Sequence, residues 1–275
     1  MREVFTMWRD TRMILLVAVV AAVYAAILLP FKVFTILPGL TSVRPANAFP
    51  VVFGLMFGPA AAWGSAIGNL IADIFGGTFG PGSLGGFVGN FFFGFVGYKL
   101  WGNLGPLSSG EEPNMRSIRQ VVEYVLIAVA SSAMCAVIIA WVADLLGLVP
   151  FSVLAPIIMV NNTLAAAVLG PPLLYLTYPR IKDIGFLYPE LLADEELSAA
   201  GASRRYVAAY GLLVVSLVWL GVGLLVGTGA APGTLTVGLV GLVGFVLVLA
   251  FAIIGAERLS AILERAGARP AGRNR

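Results

Sequence analysis

Apolar residues gather along this chain in long blocks separated by short polar stretches. Met13 to Leu29 is the first block, preceded by Arg2, Arg9 and Arg12. Phe49 to Phe75 is the next, broken at Gly58-Pro59. Leu84 to Trp101, Val121 to Leu146 and Val149 to Leu176 follow. A charged stretch, Tyr178 to Arg205, separates these from Tyr206 to Val226 and Thr234 to Ala256, and Glu257 to Arg275 forms a polar, basic tail. A helix needs about 20 apolar residues to cross a bilayer, so these blocks predict membrane helices. Small residues in the first block, Ala22 and Ala25, would suit a cleaved signal peptide, but the apolar run continues unbroken past them.

The block Phe49 to Phe75 sets the helix count. Its 27 residues make either one long, tilted helix or two short ones meeting at Gly58-Pro59, a pair that punctuates helices. Charge bias chooses, because cytoplasmic loops collect Lys and Arg. With two segments there are eight helices and both termini lie inside. Fifteen of the seventeen basic residues then fall on the cytoplasmic side, and only Lys32 and Arg44 lie outside. With one segment, every later loop changes side and the bias collapses. The expectation is an all-α polytopic membrane protein with a six-helix core over residues 1–178 and a charged cytoplasmic loop over 179–205. An extra transmembrane hairpin over 206–256 and a basic cytoplasmic tail over 257–275 complete it. The second helix is about half the usual length.

Composition strengthens this reading. The chain is 59% hydrophobic and 11% charged, with a mean hydropathy of +0.96. Soluble domains run near a quarter charged, which excludes a water-soluble enzyme. There is no His, and the single Cys, Cys135, sits in an apolar run. Disulfides, His-bearing metal sites and Ser-His or Cys-His catalysis are thereby removed, and no cofactor is expected. Gly54/Gly58, Gly64/Gly68 and Gly85/Gly89 stand four apart, a spacing that lets helix backbones approach closely.

Polar side chains inside apolar helices are costly and face a cavity or a partner. In the eight-segment topology Asn47 starts the second helix on the outer side. Asn69 and Asp73 lie near the outer end of the third, and Asn90 about two turns below the outer end of the fourth. Asp144 falls near the outer end of the fifth, and Asn161 and Asn162 midway along the sixth. Lys32 and Arg44 occupy the first outer loop. This asymmetry predicts an outward-facing pocket for a small polar molecule, lined by amides that both donate and accept. The plainer reading is that the amides bond neighbouring helices and that Asp73 and Asp144 cap helix ends. Trp63 reads as packed or interfacial, and Trp101 as part of an inner aromatic belt. Ala18, Ala22 and Ala26 give the first helix one smooth face, suited to tight packing or to docking on another membrane protein.

These features together resemble the substrate-binding S components of energy-coupling factor vitamin transporters. The likeness rests on a six-helix core and an alanine-spaced first helix. It rests too on Arg44-Pro45 in the first loop and on a short helix starting near Asn47-Ala48-Phe49-Pro50. The run Phe53-Gly54-Leu55-Met56-Phe57-Gly58-Pro59 then leads to Asn69-Leu70-Ile71-Ala72-Asp73, which is similar to the queuosine-precursor branch. The resemblance implies binding of a micronutrient from outside, with the first loop closing over it. It also implies docking of the first helix on a transmembrane coupling subunit driven by two cytoplasmic ATPases, and toppling of the bundle to release substrate. Arg44 and Asn47 would then belong to the gating loop. Asn69, Asp73, Asn90 and Asn161 would line the pocket, and Ala18, Ala22 and Ala26 would form the docking face. The chain has no Gly-x-x-x-x-Gly-Lys-Ser/Thr run, so ATP is bound by the partners. The family core ends after six helices, and the additional hairpin departs from it.

Other readings carry distinct signatures. A membrane sensor would lead into a signalling domain, yet the tail here is about 19 residues long. An assembly scaffold would bind no ligand. An intramembrane enzyme would need paired catalytic groups at one depth, and neither Asp73 nor Asp144 sits in a recognisable motif. A transporter working without ATPases is the remaining alternative.

Overall fold

The computed structural model describes residues 1–32, 34–37, 41–42, 44–193, 197 and 201–267. Asp194, Glu195 and Glu196 of the charged loop, and Arg269, Arg273 and Arg275 of the tail, lie outside the described residues. After a short lead helix α1 (Arg2–Thr6), the apolar blocks become α2 (Thr11–Phe31), α3 (Phe49–Phe57), α4 (Pro59–Phe75), α5 (Ser83–Leu100), α6 (Ile118–Leu145) and α7 (Phe151–Asp183). A turn of helix α8 (Tyr188–Leu191) precedes α9 (Ala202–Gly227), α10 (Leu235–Ile254) and α11 (Leu259–Arg265). Among the described residues α2, α6, α7, α9 and α10 are long and apolar enough to cross a membrane, so this is a multi-pass membrane protein. Helix α3, with nine residues, has the expected half length. The described residues depart from all-helical structure in one place, where β1 (Thr35–Leu37) and β2 (Thr41–Ser42) pair antiparallel between α2 and α3.

Helix starts follow local chemistry. Asp10 caps α2, its carboxylate accepting from Arg12 N at 2.8 Å and Met13 N at 3.0 Å. Ser117 and Gln120 form a reciprocal capping box on α6, satisfying backbone donors that the helix itself leaves open.

The chain reverses at Gly58-Pro59. Gly58 has φ +52° and ψ −120°, a conformation that a side chain opposes. Asn47 before α3, and Asn69 and Asp73 toward the end of α4, line one cavity. Gly58 instead faces the ring of Tyr188, and a Cβ there would stand 2.7 Å from it. The two helices therefore run out to Gly58 and back.

Gly58 lies at the end of the bundle that carries the lead helix and α11, here the terminal end. Lys99 pairs there with Glu3, and the Tyr98 hydroxyl donates to the same carboxylate at 3.1 Å. Asn103 Nδ2 donates to Ala256 O at 2.9 Å, and Tyr188 Oη to Glu257 at 2.9 Å. Trp101 is buried here, with its indole N–H on Glu111 O at 2.9 Å. Trp63 packs against Trp8 and Phe91 and donates to Val4 O.

Glycine brings the helices together. A Cβ at Gly64 would meet Val20 of α2 at 2.5 Å, and one at Gly89 would meet Ile139 of α6 at 2.6 Å. The C-terminal hairpin uses glycine differently. Gly241 and Gly244 of α10 receive the indoles of Trp141 and Trp219, which themselves meet edge to face at 5.7 Å. The hairpin so packs on α6 and on α7, where Ser152 Oγ donates to Gly227 O at 2.8 Å.

Two expected boundaries shift. Helix α7 continues to Asp183, past residue 178, through Pro171, Pro172 and Pro179. Its last turn carries Arg180 and Lys182, and Lys182 pairs with Glu112 at 2.7 Å. The apolar block therefore ends before the helix does. Arg204 and Arg205, read as loop residues, lie in the first turn of α9.

Because Gly58 combines a strained backbone with contact on Tyr188, Gly58→Ala should destabilise the protein by about 1–3 kcal/mol for the backbone alone. The melting temperature in detergent should fall accordingly. Gly58→Ala combined with Tyr188→Ala should still melt below Tyr188→Ala.

Candidate functional site

At the end opposite the lead helix and α11, α4, α5, α6, α7 and the turn Pro45–Ala48 enclose a cavity of about 420 Å³. Its wall takes Arg44, Asn47, Asn69, Asp73, Asn90 and Asn162 from four separate stretches of chain. The link Gly77–Gly82 closes one side, and Cys135, Ile139, Leu154 and Ile158 supply apolar surface.

Local structure places each polar group. Asn69 and Asp73 are one turn apart on α4 and share a face. Asn69 Nδ2 donates to Asp73 Oδ2 at 3.2 Å. Past Asp73, Gly77 takes φ +66°. Thr78 N then donates to Asp73 O at 2.9 Å and Gly77 N to Ile74 O at 3.3 Å, the paired bonds of a glycine-terminated helix. This turn carries the Thr78 hydroxyl back to the Asp73 carboxylate, 3.3 Å away. Lys32, just beyond α2, meets the same carboxylate oxygen at 2.8 Å and also donates to Thr78 Oγ1. Burial pulls the Lys32 amine below its ordinary pKa, while the Asp73 carboxylate pulls it back up.

Arg44 reaches across from the first connection. Its Nη1 lies 3.3 Å from Asn69 Oδ1, and its backbone N lies 3.4 Å from Asn161 Oδ1. Its Nε is buried and has no partner in the protein. Lys32 and Arg44 set against Asp73 leave one positive charge in excess. The cavity thus offers a guanidinium and several amide N–H groups, while both oxygens of its carboxylate are engaged. It suits a small ligand rich in hydrogen-bond acceptors.

Deeper in the wall the buried Tyr24 hydroxyl points from α2 toward the amide oxygens of Asn47, 2.7 Å away, and Asn90, 2.9 Å away. Asn90 Nδ2 donates to Gly86 O at 2.8 Å, and the Asn47 amide bonds that of Asn162. Gly86 also leaves room for Asn69 of α4, since a Cβ there would stand 2.8 Å from Asn69 Nδ2.

Of the residues singled out in the sequence, Arg44, Asn47, Asn69, Asp73 and Asn90 come together on this wall. Asn161 does not line the cavity but faces the Arg44 backbone, and its neighbour Asn162 takes the lining position. Asp144 also lies apart. Its Oδ2 accepts from Phe151 N at 2.8 Å and its Oδ1 from Gly233 N at 3.0 Å, so it caps α7 and ties down the α9–α10 link. Ala18, Ala22 and Ala26 are all exposed along α2, while Ala21 and Ala25 are buried. Sequence reasoning passed over Tyr24, and noted Lys32 as an outer cation without finding its partner. The one available signal for Tyr24 was a hydroxyl within an otherwise apolar helix.

A family model described as QueT transporter matches residues 14–179, which hold every residue lining the cavity. No curated protein and no solved structure matches the chain.

Lys32 and Asp73 form a largely buried ion pair, with side chains 9% and 10% exposed. Removing one partner of such a pair costs about 3–5 kcal/mol. Lys32→Met should therefore lower thermal stability sharply, and Lys32→Met with Asp73→Asn should recover most of it. Equal stability of Lys32→Met and the parent protein in thermal unfolding would refute the pairing.

Proposed function

The chain belongs to the QueT transporter family, a family of energy-coupling factor S components, and on that footing we propose that it captures a queuosine precursor from outside the cell for ATP-driven uptake. The observation that carries this reading is the polar cavity itself. It is the size of a small-molecule site, and the matched region contains its whole wall. A deazapurine precursor has the ring nitrogens and carbonyl that the guanidinium of Arg44 and the amides of Asn47, Asn69, Asn90 and Asn162 would recognise.

In this proposal the chain crosses the membrane in eight segments, with both termini cytoplasmic and the cavity opening outward. The lead helix and α11 share the end opposite the cavity, which supports that orientation. The excess of Lys and Arg predicted for the cytoplasmic side supports it as well. The first connection, carrying Arg44, closes over the ligand. The exposed face of Ala18, Ala22 and Ala26 docks on a transmembrane coupling subunit, and two cytoplasmic ATPases drive toppling and release. The chain binds and presents substrate, and the ATPases supply the work.

Mass spectrometry of small molecules retained on the purified protein tests the substrate. A queuosine precursor is the expected species. Asn90→Ala, and Asp73→Ala in the Lys32→Met background that avoids an unpaired buried charge, should each reduce retention about tenfold, the effect of losing roughly 1.4 kcal/mol, without abolishing folding. Unchanged retention in both would remove the proposed site. Orientation is tested with Arg116→Cys in a Cys135→Ala background, which should react with a membrane-impermeant thiol reagent only from the cytoplasmic face. Labelling from outside would overturn the topology.

A further inference from the structure

The Tyr24 hydroxyl has one hydrogen, yet two amide oxygens lie within its donating range, Asn47 at 2.7 Å and Asn90 at 2.9 Å. Asn90 is anchored. Its Nδ2 donates to the main-chain carbonyl of Gly86 at 2.8 Å, and a carbonyl can only accept. The Asn90 oxygen must therefore face Tyr24 and take the hydrogen. Asn47 has no such anchor, because its other amide atom meets the amide of Asn162. An amide carries its oxygen and nitrogen on one planar fork, so a half-turn exchanges donor for acceptor in place. Two oxygens competing for one hydrogen would leave a buried acceptor without its bond, which is costly.

We infer that Asn47 and Asn162 both stand in the half-turned orientation, and that one directed hydrogen-bond chain crosses the site. Asn162 Nδ2 donates to Asn47 Oδ1, Asn47 Nδ2 to Tyr24 Oη, Tyr24 Oη–H to Asn90 Oδ1, and Asn90 Nδ2 to Gly86 O. The Asn162 oxygen is then free to accept, and the Cys135 thiol, which lines the same cavity, has a hydrogen to give. Tyr24 is thus a positioning residue. It stands behind the cavity wall on α2 and sets which way three wall amides face. Each of these amides uses one N–H in the chain and keeps one. With the partnerless Arg44 Nε–H, they make an edge of donors that suits the carbonyl and ring-nitrogen acceptors of the ligand. This last step rests on the uptake reading, but the order of the chain does not.

Tyr24→Phe removes the hydroxyl and keeps the ring. The chain holds eight tyrosines, and the infrared difference spectrum between the parent protein and Tyr24→Phe isolates the phenol of this one without any ligand. A phenol that both donates and accepts is expected, and one that only donates would overturn the directed chain. Queuine binding is then measured for the parent, Tyr24→Phe, Asn47→Ala and the double variant. Tyr24→Phe should weaken binding about tenfold, and the double variant should bind no worse than the weaker single one, since the two residues act as one unit. Unchanged affinity in Tyr24→Phe, or losses that simply multiply, would overturn the positioning role. A parent protein that binds no queuine would instead sink the uptake reading, and the infrared comparison would still decide the chain.

Discussion

Backbone that leaves the helix inside an apolar bundle must find its hydrogen-bond partners there, and the reversal at Gly58 is where this chain meets that demand. Gly58 N donates to Gly54 O at 3.0 Å, and Gly58 O accepts from Ala61 N at 3.1 Å and Ala62 N at 3.3 Å. Pro59 has no N–H to satisfy. The ring of Tyr188 closes the space that a side chain would need. With the turn sealed, α3 and α4 both lead back to the cavity. In one continuous helix Asn47 and Asn69 would be about 33 Å apart, at 1.5 Å per residue. The doubled-back path puts them on the same wall, where the first connection can lay Arg44 against Asn69.

The eight main helices were legible because their apolar blocks are long and their punctuation is strong, as at Gly58-Pro59 and in the Gly77–Gly82 link. Which side of each helix faces inward was much harder to read. Helix α7 is apolar nearly all round, so nothing in its pattern separates Asn161 from Asn162, and only packing turns Asn162 inward. Tyr24 sits among alanines that drew attention as a smooth outer face, while its hydroxyl works on the opposite side of the same helix. Lys32 and Asp73 are 41 residues apart, and their pairing depends on how α2 lies along α4. Asp144 illustrates the converse. Its carboxylate is buried beyond the reach of solvent, but it satisfies the start of α7 and not a ligand.

The hairpin of α9 and α10 departs from a six-helix core, and its placement bears on the rest. It is seated against α6 through the indole of Trp141 at Gly241 and against α7 through the ring of Phe151 at Gly223, with Phe245 touching both Trp141 and Phe92. The exposed alanines of α2 lie on a helix whose main neighbour is α4. The added hairpin therefore leaves that face open. At the terminal end it returns Gly255 to Lys99 and Ala256 to Asn103, joining the two parts of the molecule through buried polar contacts.

One side of the cavity is the link from Gly77 to Gly82, where three glycines stand with Thr78, Phe79 and Pro81. Wherever main chain lines such a wall, every residue but proline offers the same carbonyl and amide hydrogen. Drift in that stretch can alter its stiffness while leaving its chemical lettering intact. In the proposed uptake role, discrimination between one nutrient and a near relative would then be written in the side chains opposite, and selection for a new diet would act there first.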